Sequence, residues 1–242
     1  VKKLPLKQML AITLLIIGVT SFITLVFFPI FMLKNEYGFT LSTLNDYYLG
    51  KTSITMDEAE QIAFTYLESL KSLNRNLAIK EIMEFEYNFY IIYFEEDTGI
   101  GAFEMLIWKT NAVNNMMMWH MGWITAGKIT PEPGPNMMWN LKYGHMNRMM
   151  RWRYNNALTI DMPISEEEAK SIGQRYLNQY FPGSTIMETT KFYGYYTFDF
   201  GKDDKIYGMF SVNGYTGQVW YHSWHGAFIN MREYEEHEEH EW

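Results

Sequence analysis

The chain has no cysteine among its 242 residues. That excludes disulfides, thiolate zinc centres, cysteine nucleophiles, cysteine-held iron–sulfur clusters and covalently attached c-type haem. Proline and glycine number only seven and seventeen, too few for a collagen-like or low-complexity chain. Nucleotide-binding and hydrolase signatures are missing as well. There is no G-x-S-x-G, P-loop, G-x-G-x-x-G, EF-hand loop or H-E-x-x-H. With 48% hydrophobic and 20% charged residues, the chain is not a disordered polypeptide. Its length admits one large domain or two small ones. What it has in excess is methionine and aromatic side chains: 18 Met, 18 Tyr, 16 Phe and 8 Trp.

Residues Met9 to Leu33 run 25 positions without a charge, longer than the roughly 20 apolar residues a membrane span requires. Lys2, Lys3 and Lys7 precede the run, and Lys34, Glu36 and Asp46 follow it. This lysine bias places the N-terminus inside and residues 35–242 on the periplasmic or extracellular side of the cytoplasmic membrane. The run is too long for the apolar region of a cleaved signal peptide and lacks small residues at its end, so an uncleaved signal anchor is expected. Removing those four lysines from the net charge of −8 leaves −12 for residues 35–242. So acidic an exterior does not bind nucleic acid.

An internal duplication dominates the rest. Ile54, Thr55, Glu58, Ala59, Ile62, Tyr66 and Leu67 match Ile164, Ser165, Glu168, Ala169, Ile172, Tyr176 and Leu177 at constant offset. Each copy opens with a capping box, Thr55 with Glu58 and Ser165 with Glu168, and continues with apolar residues at helical spacing. Pro182-Gly183 ends the second helix. Further on, Glu86–Val113 aligns without a gap over Phe192–Val219. Aromatic and β-branched runs there are broken at 95–99 and 201–205, which reads as hairpins. A third strand is expected at Gln218–Tyr221.

These segments resemble the PepSY domain family. The match is carried by Ile164-Ser165-Glu166-Glu167-Glu168-Ala169 and by Val212-Asn213-Gly214-Tyr215-Thr216-Gly217-Gln218-Val219. The first copy keeps the helix motif but has Lys109-Thr110-Asn111-Ala112-Val113 where the glycines belong. The resemblance implies small extracytoplasmic modules of the kind found in peptidase propeptides and membrane-anchored proteins, and transfers no catalytic residue. The expected fold class is α+β: one transmembrane helix followed by two modules, each a helix packed on a three-stranded antiparallel sheet. The expected divisions are a lysine-rich start and anchor (1–34), a linker (35–53), module 1 (54–126), a packed connector (127–163), module 2 (164–228) and an acidic Glu/His tail (229–242).

Pro131-Glu132-Pro133-Gly134-Pro135 predicts a stiff extended crossing in the connector. Nine of the 18 methionines fall between Met116 and Met150, with His120 and His145 among them. Thioether and imidazole together suit reduced copper, and Met116, Met118, His120, His145 and Met146 are the candidate ligands. Methionine also fills irregular cores and contact surfaces, and no regular methionine array is present. His222 and His225 form H-x-x-H after the last expected strand. Trp224-His225 parallels Trp119-His120 of the first copy, which predicts a packed Trp beside a His bonded to backbone rather than a ligand pair. His237 and His240 lie in a run of like charge, read as a solvated tail. Glu95, Glu96, Asp97, Asp203 and Asp204 sit in hairpin turns, where acids are ordinary.

The functional expectation is a non-catalytic, membrane-anchored extracytoplasmic accessory or interaction subunit, without a cofactor, of a respiratory or transport membrane complex. Its partners would be the membrane, through residues 9–33, and other subunits of that complex. Copper handling by the connector is the alternative, and regulation of an extracytoplasmic peptidase a further one.

Overall fold

The computed structural model describes residues 53–71, 76–109, 126–144 and 161–234. The expected anchor at 9–33 lies outside them, and among the described residues no helix is long and apolar enough to cross a membrane. The elements in chain order are α1 (Met56–Lys71), β1 (Leu77–Phe85), β2 (Asn88–Glu95), β3 (Gly101–Trp108), β4 (Ile129–Pro131), α2 (Asn136–Trp139), α3 (Glu166–Tyr180), β5 (Thr185–Phe192), β6 (Tyr195–Lys202), β7 (Lys205–Asn213), β8 (Val219–Tyr221) and β9 (Phe228–Glu233).

Local signals set the two long helices. In α1 the capping box is reciprocal: Thr55 Oγ1 accepts the Glu58 N–H at 3.3 Å, and Glu58 Oε2 accepts the Thr55 N–H at 3.0 Å. In α3, Ser165 Oγ accepts the Glu168 N–H at 3.2 Å. Acidic residues fill both first turns, Asp57 and Glu58 in one and Glu166, Glu167 and Glu168 in the other, where the helix dipole favours them. Helix α1 buries Met56, Ala59, Ile62, Ala63, Leu67 and Leu70, and α3 buries Ala169, Gly173 and Leu177.

The strands do not form two three-stranded modules, so the expected fold class is overturned. They form one nine-stranded mixed sheet in the order β8-β7-β6-β5-β3-β2-β1-β9, with β4 added to β3. Neighbours are antiparallel except β3 and β5, which meet in parallel at the pair Gly101↔Phe192. Gly101 makes this junction, because a Cβ there would lie 2.5 Å from the Phe192 ring. The last strand returns across the sequence, with Met231 opposite Met83 in the pairing of β9 with β1.

The sheet also folds over on itself. Lys80 of β1 donates to Glu188 Oε1 at 2.5 Å and to Thr190 Oγ1 at 2.9 Å on β5, although β2 and β3 lie between in strand order. One core joins Met83, Phe85, Tyr90, Ile92, Leu106 and Trp108 from one half of the sheet to Phe192, Tyr195, Met209 and Trp224 from the other. Strand alternation sorts the remainder. Phe89, Ile91 and Tyr93 face outward, and Tyr93 Oη donates to the Ala63 carbonyl of α1 at 3.0 Å. Tyr196, Phe198, Phe200, Phe210 and Val212 face outward beneath α3. The two helices therefore cover outer faces while the inner faces close on each other. Central strands buried on both sides become nearly continuous apolar runs, and every residue of β2 is buried.

The connector joins the halves. Asn140 Nδ2 donates to the Ala102 carbonyl at 2.7 Å, and the Leu141 N–H to the Tyr193 carbonyl at 2.8 Å. Glu95 receives Tyr193 Oη at 2.7 Å, together with Tyr143 Oη and the Lys142 ammonium. Burial raises the Glu95 pKa, but these donors outweigh it and hold the carboxyl below its ordinary value.

Gly173 tests how tightly α3 is seated. A Cβ there would lie 2.6 Å from the Phe210 ring, which is fully buried. Gly173→Ala gains intrinsic helix propensity of about 1 kcal/mol. Overpacking costs roughly 1–3 kcal/mol, so the expected net result is a lower midpoint in urea unfolding. A midpoint at or above wild type would show the helix to be more loosely packed than described.

Candidate functional site

The inner faces carry carboxylates where apolar side chains would be ordinary. Glu81, Glu104, Glu132 and Asp199 are all buried, with Glu104 only 1% exposed. Glu104 is the best supplied. Its Oε1 accepts Tyr90 Oη at 2.7 Å and Thr197 Oγ1 at 2.6 Å, and its Oε2 accepts Tyr195 Oη at 2.8 Å and Asn136 Nδ2 at 2.7 Å. Four donors from β2, β6 and α2 thus converge on one carboxylate of β3.

Proton placement follows from that point outward. Thr197 gives its only proton to Glu104, so Ser211 Oγ donates to Thr197 Oγ1 across 2.9 Å. Ser211 then has only lone pairs for Asn136 Nδ2 and His222 Nε2, each at 2.9 Å, which makes His222 Nε2 the protonated ring nitrogen. At the second histidine, Asn88 Nδ2 donates to the Trp224 carbonyl at 3.0 Å. Its Oδ1 therefore faces His225 Nδ1 at 2.8 Å, and that ring nitrogen is also the donor. The lone pairs of His222 Nδ1 and His225 Nε2 are left pointing at Glu132 Oε1, 2.9 Å and 3.2 Å away. The first of these contacts lacks hydrogen-bond geometry, and buried His222 Nδ1 has no hydrogen-bond partner.

Local structure explains the convergence. Glu132 follows β4, whose place on β3 is fixed by the Trp108 indole N–H on Thr130 Oγ1 at 3.0 Å and by the Glu132 N–H on the Glu104 carbonyl at 3.2 Å. Gly134, at φ +97°, turns the proline-rich segment under Trp220 and Trp224. His222 continues β8, its N–H on the Met209 carbonyl at 3.0 Å, and its ring stacks on Trp224 with centroids 5.1 Å apart. His225 stacks on Phe85 at 4.4 Å.

Electrostatics agree with neutral rings. Burial lowers the His222 pKa to about 4 against a smaller opposing effect of Glu104. Burial, then the neighbouring His222, holds His225 well below its ordinary value. Burial pushes Glu132 up to about 8. Burial, then the Glu132 charge, pushes Glu104 up to about 7. Two imidazole lone pairs and one carboxylate share a space in which their ligand atoms all lie within 4.8 Å of one another. One carboxyl proton satisfies only one of those lone pairs.

Glu81 and Asp199 extend the same lining. Ile92 of β2 pairs with Glu81 on one side and Glu104 on the other, and Asp199 shares the inner face of β6 with Thr197. On the outside, a groove of about 630 Å³ runs between α3 and β5, lined by Glu166, Lys170, Gln174, Thr185, Met187 and Thr189 among others. Among the described residues, β5 has no strand partner on the side away from β6 between Thr185 and Lys191, since it meets β3 only at Phe192.

The sequence-derived copper ligands, Met116, Met118, His120, His145 and Met146, lie outside the described residues, as do His237 and His240. Met138 is on α2 and exposed. Glu96, Asp97, Asp203 and Asp204 are exposed turn acids, whereas Glu95 is buried. His225 contradicts its expected role, because its side chain bonds Asn88 and Glu132 rather than backbone. Glu132 and Glu104 escaped the sequence reading altogether. The H-x-x-H spacing was the visible half of the cluster, while its carboxylate is 90 residues upstream in a segment read only for its prolines. No family model, no curated protein and no solved structure matches this chain.

The buried acids predict a pH response. Burial raises the Glu81 pKa to about 7, Lys80 opposing and Glu188 and Glu233 adding to the shift. The folded chain then holds a proton that the unfolded chain loses above its ordinary value. The stability so gained is complete below about pH 4.5 and is lost as pH rises through about 7. Asp199 shifts in the same direction, chiefly through burial and then Glu81. Glu81→Gln should flatten the decline in unfolding free energy between pH 5 and 8, by on the order of 2–3 kcal/mol. Urea titrations at both pH values measure it, and an unchanged slope would refute the assignment.

Proposed function

We propose that this chain is a non-catalytic, membrane-anchored extracytoplasmic interaction module that receives an extended segment of a partner protein along β5. The observation that carries the proposal is the edge of β5 beside its groove, which has no strand partner among the described residues from Thr185 to Lys191. An unpaired strand edge offers backbone N–H and C=O groups to an incoming strand, and an adjacent groove accepts alternate side chains. The non-catalytic part rests on burial. Glu104, Glu132, His222 and His225 are each at most 3% exposed, so the side chains of this cluster have no access to a substrate. The anchor and its orientation rest on the uncharged run from Met9 to Leu33 and the lysines before it.

Lysine on a sheet edge blocks strand addition while leaving the sheet intact. Met187, 42% exposed, and Thr185 are suitable positions. In native membranes the double substitution Thr185→Lys, Met187→Lys should abolish the chain's migration within a larger detergent-solubilised assembly, with circular dichroism and unfolding midpoint unchanged. An assembly that survives the substitution, or wild-type chain that migrates alone, would contradict the proposal.

A further inference from the structure

We propose that Glu132, His222 and His225 bind one divalent transition-metal ion, and that zinc is the ion the donor set fits best. This is independent of the β5 edge. Each protein ligand is supplied by a different stretch: the residue after β4, the end of β8 and the turn before β9. Both histidines are also oriented by an outer partner, as metal ligands are. Ser211 Oγ fixes the His222 ring through Nε2 at 2.9 Å, and Asn88 Oδ1 fixes the His225 ring through Nδ1 at 2.8 Å. Asn136 Nδ2 lies 3.2 Å from Glu132 Oε2, the longest of three contacts that share its two N–H protons. The two ring contacts select the tautomers that aim His222 Nδ1 and His225 Nε2 at the carboxylate.

The unpartnered Nδ1 of His222 is a second observation that points to a ligand. A buried ring nitrogen without a partner is costly, and a cation between it, His225 Nε2 and Glu132 Oε1 would satisfy all three. Zinc bonds of about 2.0–2.1 Å at tetrahedral angles separate ligand atoms by roughly 3.3 Å. The observed separations from Glu132 Oε1 are 2.9 Å and 3.2 Å, so these two need open by only a few tenths of an ångström, and all three ligand atoms lie within 4.8 Å of one another. Two imidazoles and a carboxylate, with no sulfur, favour a borderline divalent ion over cuprous copper. The ligands are buried behind Trp224 and Phe85, so the ion would act as a clamp. It would tie the proline-rich segment to the β8–β9 turn, and the fourth position left by three protein ligands would lie in the buried interior.

The test uses the full chain in detergent, stripped of metal with chelator and then given zinc chloride alone. The expected result is one zinc retained per chain after desalting and a rise of several degrees in the unfolding temperature. His222→Gln and Glu132→Gln should each weaken zinc binding at least tenfold. His145→Ala, Met146→Ala and His237→Ala, His240→Ala double variants should bind as wild type. Should a site variant fail to fold, nitrogen-detected imidazole spectra of the wild type decide. Of the six histidines, only His222 and His225 should shift with one equivalent of zinc. Absence of stoichiometric binding, or zinc shifts confined to other histidines, would overturn the proposal.

Discussion

The carboxylate of Glu104 is the point on which this architecture depends. A charged carboxylate cannot sit between two packed sheet faces unless its lone pairs are met. Here Tyr90, Tyr195, Thr197 and Asn136 meet them from both halves of the sheet and from the connector. The same contacts commit the Thr197 proton, which commits Ser211, which in turn sets the tautomer of His222. A requirement for polar satisfaction at one buried atom pair thus reaches the Glu132–His222–His225 cluster through two hydroxyls. It also explains why the interior is closed: a half-satisfied network of this kind is less favourable than an apolar core.

Much of the local structure was legible in the residues. The capping boxes at Thr55 and Ser165, the apolar spacing that follows them and the turn acids at 95–99 and 201–205 all specify nearby backbone. The sheet was not legible in the same way. Strands β1 and β5 carry Lys80, Glu81, Glu188 and Lys191 on short runs, which hides their alternation, and neither was anticipated. Strand β9 pairs with β1 across most of the chain, which no local pattern announces. Above all, two similar units suggested two separate modules. Their inner faces, however, carry Phe85, Trp108, Tyr195 and Met209, large side chains that a lone three-stranded sheet with one helix leaves uncovered. Folding the sheet over on itself covers them.

The functional cluster was half visible. H-x-x-H drew notice at 222 and 225, but an isolated pair of histidines beside tryptophan is ordinarily packing. What changes its meaning is Glu132, whose position depends on β4 adding to β3 and on Gly134 turning the chain back beneath Trp220. Sequence separation hid that, because the distance between ligands is set by tertiary pairing.

The central claim is that both halves of the sheet are a single cooperative body joined through Glu104. Native-state hydrogen exchange on wild type and Glu104→Leu tests it most directly, read at the amides of β2 and β6. The account predicts equal maximal protection in the two strands and an equal fall in both on substitution, by roughly 2–4 kcal/mol. Protection that falls in one strand and persists in the other would contradict it.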